Sequence, residues 1–439
     1  MNADKIQIEK KYDYDEIFDR AFPKGYKFDF TESKTDESFV PEVEKVCGGV
    51  VAGIDMAKVA ENSVENFGAK GDGVTDDTAA IFEAYEKSNG KIYFPSGKYL
   101  MNKTLEICDD TVIYGENAEM IIEDDISCIT GENKKNIYIK GIYINKKWTD
   151  NSVKYGIYLS ECKNIVIDGC EISGFGARAG ISLRYHCEWF SITNNYCHDF
   201  AASKIGPLED GKEQDTFGIE VRWGGNNGII MDNVIDNLTT LEPNLSARRV
   251  QADGIYLGAG SYNILVESNY ITRVGEGIDL GKNHNVIMRN NTLISISLWG
   301  IKIGQGSYDC LAEDNYIEDS GFAALHAYAN IGTNGLQTRT IFRRNVVVDC
   351  NRSQHFPNQY EEHKSGVFFS ANDDEVNGSV AGCQGNTVEY NVIIQPKENK
   401  NIRFGMCEAM TSRKNCFRYN YIEGVEEQNI HNESEWIAY

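Results

Sequence analysis

The sequence predicts an all-β chain wound as a single-stranded parallel β-helix. Three observations lead there. A short motif (glycine, an aliphatic residue, a variable residue, another apolar residue) recurs down the chain. A second motif, apolar-x-x-Asn-x-apolar, falls between its copies. Within each copy apolar and polar positions alternate with period two, the mark of strands rather than helices.

The first motif reads GIYL at Gly156, GISL at Gly180, GIEV at Gly218, GIYL at Gly254, GIDL at Gly277, GIKI at Gly300, ALHA at Ala324 and GVFF at Gly366, with spacings of 24, 38, 36, 23, 23, 24 and 42 residues. The asparagines of the second motif are Asn195, Asn233, Asn269, Asn291, Asn315, Asn345, Asn391 and Asn420. A basic period of about 23 residues, with two or three short strands per turn, fits a solenoid of stacked rungs. A leucine-rich repeat would show LxxLxL, and a propeller blade needs about 40 residues. Rungs stack at about 4.8 Å, so equivalent asparagines can hydrogen-bond in a ladder and tolerate left-handed turns.

Upstream, Ser63–Leu100 reads SVENFGAKGDGVTDDTAAIFEAYEKSNGKIYFPSGKYL. A Gly-Asp-Gly turn leads to Asp76 and Asp77, which can cap a helix from about Thr78 to Glu86. The strand KIYF and a Pro-Ser-Gly turn follow. This segment resembles the N-terminal part of the pectate-lyase-like β-helix superfamily. The resemblance implies a right-handed parallel β-helix over 63–439, with the N-terminal helix covering an end that would otherwise be a sticky sheet edge. Residues 1–62 read as an acidic, irregular leader, an arm or an oligomer contact.

Composition narrows the partners. The chain carries 43 Lys and Arg against 66 Asp and Glu, a net charge of −23, which argues against nucleic acid and anionic membranes. The N-terminus is charged from residue 4 and shows no apolar run of signal-peptide type, so the expectation is a cytoplasmic protein. No run of apolar residues is long enough to span a membrane. The 12 cysteines show no CxxC pair and no zinc-type cluster, so they read as buried thiols, with no metal or other cofactor expected.

Stacking turns sequence columns into rows. The variable position of each copy points outward, and reading down the rungs it is Tyr158, Ser182, Glu220, Tyr256, Asp279, Lys302, His326 and Phe368. The residue before each glycine gives Tyr155, Ala179, Phe217, Asp253, Glu276, Trp299, Ala323 and Ser365. Two positions beyond the variable one lie Arg184, Arg222, Gly258, Gly281, Gly304 and Tyr328. Ionisable and aromatic residues concentrate from Glu220 to His326. Long insertions at 203–215, 238–251 and 351–365 leave the same corner and would wall that face into a groove for a saccharide chain.

Glycosidic hydrolysis needs one carboxylic acid to protonate the leaving oxygen and a second carboxylate as nucleophile or base. Asp253 and Glu276 fall in one column on adjacent rungs, with Asp279 three residues further on. Neighbouring like charges would raise one of their pKa values. Asp253 and Glu276 are the expected acid/base pair and Asp279 the third member. Trp223, Tyr256 and Trp299 are the expected stacking platforms. Arg184, Glu220, Arg222, Arg249, Lys282, Lys302, His326 and Tyr328 are the expected polar contacts.

The order ADGIYLG, GEGIDLG, LWGIKIG, ALHAY resembles the successive catalytic rungs of the polygalacturonase family of glycoside hydrolases. Asp253 matches that family's first Asp, and Glu276 falls on the second member of its Asp pair, with Gly275 in place of the first. Trp299 stands for the His, and His326 and Tyr328 for the Arg and Lys. The resemblance implies a glycoside hydrolase, and the lost Arg and Lys point to a neutral oligo- or polysaccharide. A catalytic Asp-Gly step is also shared with inulin fructotransferase-like enzymes, which keeps fructans open. Two other classes compete. A polysaccharide lyase or uronate C5-epimerase could use Tyr256, Asp279, Lys302 and His326 with Arg184 and Arg222, although the Asp-Pro-His signature of the epimerases is absent. A non-catalytic glycan-binding or phage tailspike-type protein would share the fold without turnover.

Overall fold

A computed structural model describes residues 10–146, 154–174, 178–201, 215–239, 252–329, 336–352, 364–371, 382–396, 402–408, 412 and 414–432. The chain is a right-handed parallel β-helix. It divides into two compact units, one holding residues 37–256 and the other 6–36 with 257–439. Among the described residues no helix is long and apolar enough to cross a membrane.

In the first unit each rung contributes up to three short strands, such as Tyr155–Ser160, Lys163–Asp168 and Glu171–Ser173. The motif strands Tyr155–Ser160, Ala179–Arg184 and Thr216–Arg222 pair in parallel and in register, Tyr158 with Ser182 and Ser182 with Glu220. In the second unit Ile278–Gly281, Ile301–Gly304, Leu325–Ala329, Ser365–Ala371 and Phe404–Glu408 continue the same pattern, setting Asp279, Lys302, His326 and Phe368 in one row.

The motif glycine has a packing cause. A Cβ at Gly277 would stand 2.5 Å from the Gly300 carbonyl oxygen and 2.3 Å from Leu293, and one at Gly300 would stand 2.5 Å from the Ala324 carbonyl oxygen. Successive backbones approach too closely at this column for most side chains.

The asparagine ladder is present. Asn269, Asn291, Asn315, Asn345, Asn391 and Asn420 each accept, at the side-chain oxygen, from the rung below or donate to the rung above at 2.9–3.0 Å. In the first unit Asn195 and Asn233 do the same. The left-handed residue, however, is the one just before the ladder position: Asn194, Asn290, Asp314, Arg344, Tyr390. The ladder asparagine is chosen for its amide, not for its backbone freedom.

The capping helix runs Thr78–Lys87, but its cap is divided differently from expectation. Asp76 accepts from the Thr78 N–H, whereas buried Asp77 accepts from the N–H groups of Lys70 and Gly71, closing the preceding turn.

Residues 10–62 pack onto the solenoid as far as they are described. In the first unit the helix Phe39–Ala52 lies over strands Lys163–Asp168 and Glu188–Thr193, with Cys47 against the carbonyls of Ile165 and Trp189. In the second unit the helix Tyr14–Ala21 and the Phe22 that ends it bury Phe18 and Phe22 against Val346, Val348, Tyr390 and Val392. Thr31 donates from its N–H to Glu389, and Arg418 donates to the Asp29 carbonyl.

Candidate functional site

Among the described residues two polar clusters lie along the motif strands, one in each unit. In the first, Arg184 binds Glu220 through Nε at 2.8 Å and Nη2 at 2.9 Å, and Ser182 Oγ donates to the same carboxylate at 2.6 Å. Glu220 is fully buried and Arg184 nearly so. Such a desolvated carboxylate persists only with its charge matched and its lone pairs filled.

Arg222 approaches Glu220 only to 3.6 Å and lies over the rings of Trp223 and Tyr256. Trp223 stacks on Tyr185 at 4.5 Å, and Tyr256 on Phe217 at 4.9 Å. The structure thus brings together Arg184, Glu220, Arg222, Trp223 and Tyr256. Asp253, on strand Ala252–Gly258, belongs to this unit and is fully buried. Arg249 and most of the three insertions expected to wall a groove lie outside the described residues.

In the second unit Lys302 is the centre. Its Nζ donates to Glu276 at 2.8 and 3.0 Å and to Asp279 at 3.3 Å. Both carboxylates are buried, and their oxygens come within 4.8 Å of one another. Burial pushes the Glu276 carboxyl up to about 8; Lys302 opposes the shift and Asp279 adds to it. The like charge expected to raise one acid is therefore the lesser cause, and desolvation the greater. The Lys302 ammonium sits between the two carboxylates, which with Asp253 form a group that could otherwise hold a divalent cation.

Beside this cluster, Trp299 stacks on His326 at 3.8 Å, and His326 on Phe368 at 5.5 Å. Phe322 packs on Trp299 at 4.9 Å. The diagonal pattern repeats that of Phe217 on Tyr256: the residue before one glycine stacks on the variable residue of the next rung. His326 Nε2 meets Ser370 Oγ at 2.8 Å, and burial together with the Lys302 charge holds the imidazole well below its ordinary pKa. Tyr328 lies 5.9 Å from the His326 ring, and Lys282 stands exposed in the left-handed turn after Ile278–Gly281.

Two findings differ from the sequence expectation. The sequence reads Tyr256 and Trp299 as stacking platforms, yet both are 8% exposed, with protein rings already packed against them. The sequence pattern does not mark Ser182, Tyr185 or Ser370 as site residues. Ser182 stood in the variable column, and Ser370 continues the column that ends at Tyr328, with which it is in register.

The fold and these polar clusters define a protein of the parallel β-helix class. The chain belongs to the rhamnogalacturonase A/epimerase, pectate lyase-like family, whose model matches residues 62–321. Among curated proteins it is 26% identical over 179 residues to pectate lyase plyB of Emericella nidulans, covering 38% of this chain and 52% of that protein. The chain thus spans about half the length of that relative. Among solved structures, the A-module of mannuronan C-5 epimerase AlgE6 from Azotobacter vinelandii superposes with a TM-score of 0.63 at 16% identity, covering 84% of this chain and 97% of that one. The catalytic domain of a GH87 α-1,3-glucanase in complex with nigerose gives 0.55 at 11% identity, covering 80% of this chain and 63% of that one. At these identities the two structures speak for the fold alone.

Proposed function

We propose that this chain is a carbohydrate-active enzyme that hydrolyses a glycosidic bond, with Glu276 as proton donor and Asp279 as the second carboxylate. The observation that carries the reading is the pairing itself. A buried carboxyl raised to about 8 is protonated at neutral pH and can give its proton to a leaving oxygen. Its neighbour is fixed by the same ammonium within 4.8 Å. Family membership supports a saccharide substrate. Arg184 and Lys302 direct their hydrogen bonds at the chain's own carboxylates, which favours a neutral sugar.

Asp253 enters the proposal as the residue that matches the polygalacturonase-type rung. Its substitution Asp253→Asn is expected to abolish turnover and leave the chain folded. The test of the whole reading is product analysis over neutral and uronate oligosaccharides, with and without chelator. Hydrolysis gives new reducing ends without ultraviolet absorbance, and NMR gives the anomer first released.

A second reading, β-elimination or C5-epimerisation of a uronate, draws on the in-register row Asp279, Lys302, His326, which sets a carboxylate, an ammonium and an imidazole on successive rungs. An unsaturated product, or solvent hydrogen incorporated at C5 without cleavage, would select it over hydrolysis.

A further inference from the structure

His326 carries a hydrogen-bonding position that the described residues leave unfilled. The imidazole is 2% exposed and sits in the row between Lys302 and Phe368. Trp299 stacks on the imidazole at 3.8 Å and Phe368 at 5.5 Å, and its two nitrogens lie on the ring edge. On that edge Nε2 is engaged by Ser370, while Nδ1 is buried and has no hydrogen-bond partner among the described residues. A buried polar atom without a partner is rare and costs about 1–3 kcal/mol, so it calls for an explanation.

We propose that His326 Nδ1 is a specificity-determining contact that reads one hydroxyl group of a bound sugar, with Ser370 orienting the ring from the opposite nitrogen. The chemistry of the group fits a neutral ligand. A carboxylate or ammonium placed at this depth would need its own counter-charge, and the neighbouring Lys302 already has two carboxylates. A hydroxyl is donor and acceptor at once, so it satisfies either tautomer that Ser370 selects. The side chain of Lys302 is 14% exposed, which gives the cluster an edge toward solvent. Sites built around a substrate hydroxyl discriminate strongly against the analogue lacking it, because the protein group is then left buried and unpaired. The inference rests on the saccharide reading above and adds the atom that selects among saccharides.

The experiment measures affinity, so it does not depend on turnover. The parent chain and His326→Phe are titrated calorimetrically against a panel of neutral oligosaccharides and, for the best binder, its monodeoxy analogues. Phenylalanine keeps an aromatic ring against Trp299 and Phe368 and removes both nitrogens. The double variant His326→Phe/Ser370→Ala removes both members of the hydrogen bond, so no new orphan is created. Both variants are expected to bind the parent sugar about 10- to 100-fold more weakly. One monodeoxy analogue should lose affinity for the parent chain but bind the variants no worse than the full sugar. The double variant should unfold at or above the parent temperature, since an unsatisfied buried atom has gone. Equal affinity of parent and variants for the sugar, or a sensitivity to every deoxy position that persists in the variants, overturns the role of His326 and leaves the saccharide reading intact. Failure of the parent chain to bind any oligosaccharide overturns both.

Discussion

Glu276→Gln tests the electrostatics of the second-unit cluster most directly. The folded chain holds a proton on Glu276 up to about 8, whereas the unfolded chain releases it near 4.5. Between those values the native state binds more protons than the unfolded state, so this group lowers stability as pH rises through the window. At pH 7 the separation from 4.5 is 2.5 units, or about 3 kcal/mol of destabilisation from this one carboxyl. The amide is neutral throughout and still bonds Lys302, which keeps Asp279 as counter-ion. The variant should therefore match the parent near pH 4.5 and exceed it by up to about 3 kcal/mol at pH 7, with the gap widest near pH 8. Calorimetric unfolding at pH 4.5, 6, 7 and 8 measures it, and turnover in the same samples should be lost. Parallel stability curves with no pH-dependent gap would show that Glu276 is ionised at neutral pH, and its role as proton donor would fall with that result.

The remaining predictions concern the scaffold and the first-unit cluster. Arg184→Ala leaves Glu220 buried with only the distant Arg222 for charge, and should destabilise by about 3–5 kcal/mol in urea unfolding, with Arg184→Lys recovering little because the bidentate geometry is lost. Asn315→Ala removes bonds to Asn345, to Asn291 and to the Met288 carbonyl, and should destabilise by about 2–4 kcal/mol, whereas Asn420→Ala, at the last rung of the ladder, should cost about half as much. His198 is paired with Glu171 and Asp199, and its pKa is raised by those two partners against the opposing effect of burial. Its stabilisation is complete below pH 6.5 and fades as pH rises through the raised value, so His198→Gln should narrow the difference in unfolding temperature between pH 6 and pH 9.

The solenoid was legible in the sequence because each rung repeats one physical demand. The glycine column records where backbones touch, and the asparagine column records where an amide must bond up and down. Ser182, Lys302 and His326 were placed on the outward row by alternation alone, and in-register pairing keeps them there. What the columns could not reveal is depth. A position that points away from the core is normally wet, yet Glu220, Asp279 and His326 are buried. Their cover is lateral: rings and ion pairs from neighbouring rungs, as with Trp299 over His326, whose diagonal contact no single column encodes. The division of labour between Asp76 and Asp77 was equally hidden, because two adjacent aspartates at a helix start read alike until Lys70 and Gly71 fold back.

The aromatic segment around Phe18, Phe22, Phe28 and Phe30 packs on Tyr390, and its backbone is bonded through Glu389 and Arg418. During synthesis this segment must therefore wait for Tyr390, 361 residues after Asp29, before it can settle. Until then four phenylalanines stay in water, a natural substrate for holdase chaperones and a source of aggregation. A ribosome that stalls late, or a nonsense codon upstream of residue 389, would release a product whose early chain has lost its seat.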